Sequence, residues 1–233
     1  MRLVNSWLKI EKSSGAVRRI PTNVRSLTGN VNGQEFESSL ERDLLLLVHW
    51  DYGVDWYQSQ PVKIDYLDAL GERRSYTPDL LVTYRTDGAH GIEQGGARRP
   101  LLCEVKYRSD LRKQKDLLKP KFKAARAYAK SQNYEFRVLT EREIRTDYLK
   151  NVQFLWSYRH AYFHEHHYEK LIEVLEELGE TSISKLLEVC YSSRELRGEA
   201  LWTLWCMISR LWVKCDLTIP LSMQSVIWVV SDE

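Results

Sequence analysis

The sequence predicts an α/β fold: a mixed sheet flanked by helices, followed by a second, mainly helical module. Three observations point there. Short runs at residues 62–67, 80–84, 101–106 and 136–139 have the length and apolar or alternating character of strands. Residues 35–48 place Phe36, Leu40, Leu44, Leu47 and Val48 at helical spacing. After Asn151 the pattern becomes almost wholly helical.

Taken in order, residues 1–30 read as an irregular arm, with Arg18, Arg19, Pro21 and Arg25 among small polar residues. The helix over 35–48 carries Glu37 and Glu41 four residues apart, hence on one face. A strand over 62–67 turns at 68–71 into a strand-like segment, 76–82, that contains Pro78-Asp79. Residues 86–100, with four Gly, two Arg and one Asp, form a loop before the strand 101–106. A helix follows from Asp110, and Pro120 should kink it or start a new one. The strand 136–139 and a short helix from Glu141 complete a domain spanning 31–150.

The module 151–233 opens with an amphipathic stretch, 169–178, stopped at Gly179. Ser182 is placed to cap a helix from Ile183, and 195–211 form a third helix. Strand-like runs at 212–217 and 226–230 flank a turn region with Pro220, and three helices plus a hairpin resemble a winged helix. Trp202, Trp205 and Trp212, at near-helical intervals, read as core residues, with an exposed subset as the alternative that could anchor a partner. His160 and His164 are one helical turn apart, with His166 and His167 close by. No neighbouring Cys or well-spaced carboxylate completes a tetrahedral set, so these histidines read as surface or packing residues.

With 233 residues, 43% hydrophobic and 28% charged, the chain suffices for one large domain or two small ones. Residues 1–12 hold no signal-peptide apolar region, and no apolar run reaches the ~20 residues of a membrane span, so the expectation is a soluble cytoplasmic protein without a membrane partner. Cys103, Cys190, Cys206 and Cys215 lack metal-site spacing and read as reduced thiols. Charge is uneven. Residues 98–150 carry 16 Lys or Arg against 7 Asp or Glu, whereas 151–233 carry 7 against 12. Arg108, Arg112, Lys113, Lys115, Lys119, Lys121, Lys123 and Arg126 are therefore candidate phosphate contacts, with Arg25 from the arm. The acidic balance of the second module suits a protein partner better than phosphate.

The chemistry sits on two strand segments. Alternation puts Glu104 and Lys106 on one face, with Cys103 and Val105 on the packed face. Carboxylates in apolar surroundings need a metal, a cation or a catalytic role to offset their burial. If Asp79 arrives from an adjacent strand, two carboxylates and the Val105 carbonyl form a hard oxygen set suited to Mg²⁺, with Mn²⁺ as substitute. Lys106 is placed to orient or deprotonate an attacking water, and either Glu37 or Glu41 could supply a third acid, Glu41 being preferred. Such a set suits phosphodiester hydrolysis of DNA or RNA. Alone, Pro-Asp is ordinarily a turn and Glu-x-Lys an exposed ion pair; their order within apolar flanks gives them weight.

The order of helix Glu, Pro-Asp and Glu-x-Lys resembles the PD-(D/E)xK nuclease superfamily, with a restriction-endonuclease-like core. More narrowly, Val24-Arg25-Ser26-Leu27-Thr28-Gly29, Glu37-Ser38-Ser39-Leu40-Glu41-Arg42-Asp43, Gln60-Pro61-Val62, Tyr76-Thr77-Pro78-Asp79 and Glu104-Val105-Lys106 resemble the TnsA family over about residues 17–150. The resemblance implies the endonuclease subunit of a heteromeric cut-and-paste transposase in the bacterial nucleoid, cleaving the 5′ ends of the transposon. A TnsB-like transposase would cut and join the 3′ ends, and a TnsC-like AAA+ ATPase would regulate both, contacting the module 151–233. The family's acids fall on Glu41 and Asp79, and its strand motif on Glu104 and Lys106. Some members carry Gln at the position of Glu104. The competing expectations are a non-catalytic DNA-binding assembly subunit and a stand-alone restriction-like nuclease.

Overall fold

The computed structural model describes residues 29–31, 33–86 and 98–229. Arg25 and nearly all of the expected arm lie outside the described residues. The chain divides into two compact units after Ile144.

The first unit opens with an antiparallel pair, β1 (Gly29–Val31) and β2 (Gln34–Phe36), joined through Gly33 at a φ of 82° that favours glycine. Helix α1 (Ser39–Trp50) begins where the Ser38 hydroxyl accepts from the backbone N–H of Glu41. The sequence expectation of a helix from Glu35 is corrected here: Glu35 and Phe36 belong to β2. Phe36 mimics helical spacing to Leu40, but the Ser38 cap fixes the true start, so Glu37 and Glu41 do not share a helix face. Then come β3 (Val54–Ser59) and a separate hairpin of β4 (Ile64–Leu67) and β5 (Arg73–Tyr76) closing near Gly71. Next are β6 (Leu80–Tyr84), β7 (Leu101–Val105), α2 (Arg108–Lys113), α3 (Lys115–Ser131), β8 (Glu135–Leu139) and α4 (Glu141–Ile144).

Two further expectations are corrected. The segment 76–82 is not one strand: Tyr76 ends β5 and Leu80 begins β6 in a different sheet. Pro78 between them has no N–H to continue a ladder. Of the two outcomes expected at Pro120, a new helix or a kink, the new helix is excluded: the break falls at Gln114, and α3 runs through Pro120. Near the start of a helix, proline forfeits only one early backbone bond.

The main sheet runs β3-β6-β7-β8, antiparallel except for the parallel β7/β8 pair. This is the expected mixed sheet between helices. Strand alternation assigns its two faces. On one, Leu80, Val82, Cys103 and Val105 pack with Leu40, Leu44 and Leu45 of α1. On the other, Leu102 packs with Ala125 and Ala129 of α3 and with Ile64 and Tyr76 of the β4–β5 hairpin. β7 is thus buried on both faces, which explains its nearly continuous apolar run.

The second unit contains α5 (Asp147–Leu155), a 3-10 turn at Trp156–Tyr158, α6 (Glu165–Leu178), β9 (Thr181–Ser182), α7 (Ile183–Cys190), α8 (Arg194–Ser209), β10 (Lys214–Cys215) and β11 (Val226–Trp228). From α6 onward the order is helix, strand, two helices and two strands. The strands form an antiparallel sheet β10-β11-β9, a winged-helix-like arrangement. Gly179, at φ 68°, ends α6, and the Ser182 hydroxyl caps α7 through the N–H of Lys185. Trp205 is buried, but Trp202 and Trp212 are 46% and 42% exposed, so the reading of all three as core is corrected. Trp202 instead donates to the Tyr162 carbonyl at 2.9 Å, and Trp212 lies beyond α8 against Phe163 and Tyr168. Among the described residues no helix is long and apolar enough to cross a membrane.

Candidate active site

The predicted acids meet at the ends of β6 and β7. Asp79 immediately precedes β6, and its N–H donates to the Cys103 carbonyl at 3.0 Å while its carbonyl accepts from Gln60 N–H. Its side chain reaches across: Asp79 Oδ2 accepts the N–H of Val105 at 2.6 Å. Three bonds therefore pin this residue between two strands. Gln60 adopts a φ of 48°, unusual for a non-glycine residue, to make its part of the contact.

Glu104 is wholly buried, on the face of β7 that also carries Leu102. Its Oε1 lies 3.2 Å from Lys106 Nζ and 2.7 Å from Lys121 Nζ, while Oε2 is buried without a hydrogen-bond partner. Lys106 also donates to the Val105 carbonyl at 3.1 Å and approaches Asp79 Oδ2 at 3.9 Å. The Val105 carbonyl, expected as a metal ligand, is thus engaged by Lys106.

Glu41 sits in the first turn of α1. Its Oε2 accepts from Glu37 N–H at 2.8 Å and its Oε1 from the Ser38 hydroxyl at 2.9 Å. With the reciprocal Ser38 to Glu41 N–H bond this resembles a capping box, a signal readable as Ser-x-x-Glu in the sequence. Glu41 nevertheless lines one narrow cleft with Asp79, Val105, Ser59 and Glu35.

Electrostatics follow from this crowding. Burial, then the neighbouring Glu104 carboxylate, push the Asp79 carboxyl well above its ordinary range, with Lys106 opposing. Burial likewise raises Glu41, against its hydrogen bonds from Glu37 and Ser38. Burial alone would lower Lys106, but Asp79 and Glu104 more than offset it and raise the ammonium above its usual value. The two acidic neighbours thus favour the charged form of Lys106. Burial, followed by the Asp79 charge, drives the Cys103 thiol up to about 12, which leaves it an inert packing group.

Among the described residues no three His, Cys, Asp or Glu side chains are gathered closely enough to hold an ion by themselves. The donor chemistry still fits a hard divalent cation. Carboxylate oxygens are preferred by such ions, and Glu104 Oε2 is a buried acceptor without a partner. The histidine reading is also settled in part. His160 follows the 3-10 turn and His164 precedes α6, so they do not share a helix. His167 is buried, with Nδ1 2.7 Å from the Tyr191 hydroxyl.

Of the candidate phosphate contacts, Arg108, Arg112, Lys113, Lys115, Lys119, Lys123 and Arg126 are exposed along α2 and α3. Lys121 is corrected: its ammonium is spent on Glu104, not presented on the helix surface. Its spacing of four and eight residues from Ala125 and Ala129 is the one sequence sign that separates it, and that spacing does not name its partner.

Two family models match the chain. One, described as TnsA-like endonuclease N terminal, covers residues 51–141, and the other, described as TnsA endonuclease C terminal, covers residues 143–217. No curated protein matches.

Proposed function

Because this chain belongs to the TnsA-like endonuclease family, and so represents the endonuclease subunit of a Tn7-type transposase, we propose that it hydrolyses DNA phosphodiesters at the 5′ ends of a transposon in a metal-dependent reaction. The observation that carries the reading is the meeting of Asp79, Glu104 and Lys106, with Lys106 Nζ 3.2 Å from Glu104 Oε1 and 3.9 Å from Asp79 Oδ2. Asp79, Glu104 through Oε2, and Glu41 after release from its capping bonds would hold Mg²⁺ or Mn²⁺. When bound, such an ion supplies Lewis acidity to the phosphate and to the attacking water. Lys106 stays protonated and places positive charge where negative charge grows on the phosphate oxygens as water attacks and the phosphorus–oxygen bond to the leaving sugar breaks. The exposed cations of α2 and α3 track the DNA backbone. The second unit, acidic overall, serves a protein partner: a TnsB-like transposase or a TnsC-like AAA+ ATPase.

The test is strand-resolved cleavage of transposon-end DNA with Mg²⁺ or Mn²⁺, for wild type and Asp79→Ala, with and without the transposase and ATPase. Partner-dependent cleavage of the 5′ strand, lost in the variant, is the expected result. Cleavage by the isolated chain would indicate an autonomous nuclease, and none under any condition an assembly subunit.

A further inference from the structure

Three ordinary accounts of Lys121 fail on its surroundings. A solvated helix cation would be exposed like Lys119 and Lys123, whereas the Lys121 side chain is only 18% exposed. A phosphate contact would present its ammonium to solvent, whereas Nζ lies 2.7 Å from Glu104 Oε1 and 4.3 Å from the centre of the buried Tyr76 ring. A purely structural ion pair would satisfy the buried carboxylate, whereas Glu104 keeps one oxygen unpartnered.

The placement follows from the packing of α3 on β7. Residues 121, 125 and 129 recur every four positions and share a helix face. Ala125 and Ala129, fully buried and small, bring that face onto Leu102. One turn N-terminal of Ala125 is a step of about 6 Å along the helix, and two residues beyond Leu102 a step of about 6.6 Å along the strand. The two steps bring Lys121 to Glu104. The Tyr76 ring, from β5, holds the ammonium from beneath.

We propose that Lys121 is a positioning residue of the nuclease site: together with Lys106 it holds Glu104 through Oε1, so that Oε2 is the oxygen left to bind a divalent cation. This rests on the functional reading above. Lys106 alone cannot fix the carboxylate, because its ammonium is shared with the Val105 carbonyl and Asp79.

The test is direct Mn²⁺ binding to the full chain without DNA, followed by electron paramagnetic resonance, for wild type, K121M, K121R, D79A, E104Q and E104Q/K121M. The expected result is a 10- to 100-fold weaker Mn²⁺ affinity in K121M, roughly the range for removing a group that orients a ligand, with partial recovery in K121R. In the E104Q background K121M should add nothing, which a structural role elsewhere would not produce. DNA affinity and its salt dependence should stay unchanged. Mn²⁺ binding by K121M equal to wild type, while D79A is impaired, would overturn the proposal and leave the site reading standing. Tighter binding in K121M would show that Lys121 competes with the cation, and a reduced salt slope for DNA would make it a phosphate contact; either overturns it. Equal binding by wild type and D79A would bring down the site reading and this proposal with it. Melting curves without metal accompany each variant, and if K121M does not fold, K121R and E104Q/K121M carry the comparison.

Discussion

Among the described residues of the unit ending at Ile144, three buried side-chain polar atoms lack a partner: Gln60 Oε1, the Tyr76 hydroxyl and Glu104 Oε2. In the unit beginning at Arg145 none does among the described residues. The second unit closes its buried polarity on itself. Asn151 donates to the carbonyls of Leu217 and Ile219 and accepts from Leu221, and Arg210 donates to those of Arg159 and Ala161. In the first unit the unpaired atoms border the site: Gln60 binds the Asp79 backbone, Tyr76 lies beneath Lys121, and Glu104 is the strand acid. An unsatisfied buried group costs about 1–3 kcal/mol, so their concentration marks where stability is given up for chemistry.

That contrast can be broken experimentally. The largest effect is expected from Asp79→Ala, which should lower cleavage on the order of a thousandfold, the equivalent of several kcal/mol of transition-state stabilisation, while circular dichroism stays native. Retained cleavage would remove Asp79 from the site. Next, Asn151→Ala should destabilise the second unit by roughly 2–4 kcal/mol, because three backbone groups go without their partner together, and should leave Mn²⁺ binding by the first unit unchanged. Abolished Mn²⁺ binding in a folded variant would end the separation between the two units.

A subtler outcome concerns pH. Asp79 is raised in the folded state, so between its ordinary value of 3.8 and that raised value the folded chain binds more protons than the unfolded chain. Stability of the metal-free protein should therefore fall as pH rises through this window. Thermal melts from pH 4 upward should show the decline in wild type and a flatter profile in Asp79→Asn; parallel profiles would mean that the burial of Asp79, and the Glu104 charge beside it, carry no energetic weight. The smallest effect is expected from Lys119→Ala or Lys123→Ala, each reducing the salt slope of DNA binding by about 0.9 for each phosphate no longer neutralised. A slope unmoved by both would assign α3 no part in the DNA path.

The strand acids are legible in the sequence because alternation forces Glu104 and Lys106 to one side and the packed residues to the other, and β7 obeys that rule. The mixed sheet and the winged-helix-like unit are legible for the same reason: periodicity survives in isolated segments. Glu41 is legible as a candidate acid, but its capping bonds need Ser38, three residues earlier, to be read with it. Lys121 is not legible, because its role depends on a partner 17 residues away, between a helix and a strand. The exposure of Trp212 is hidden as well, because near-helical spacing does not say where a helix ends and α8 stops at Ser209; Trp202 lies within α8, and its indole donates to the Tyr162 carbonyl, a partner 40 residues away.

The hydrogen-bonded flanks of β7 also bear on how such a chain can change over generations. Leu101–Val105 is held in register by β6 on one side and β8 on the other. A single residue inserted there would turn Glu104 to the side now occupied by Cys103 and strip both lysines of their carboxylate. Relatives should therefore keep this strand free of insertions and deletions.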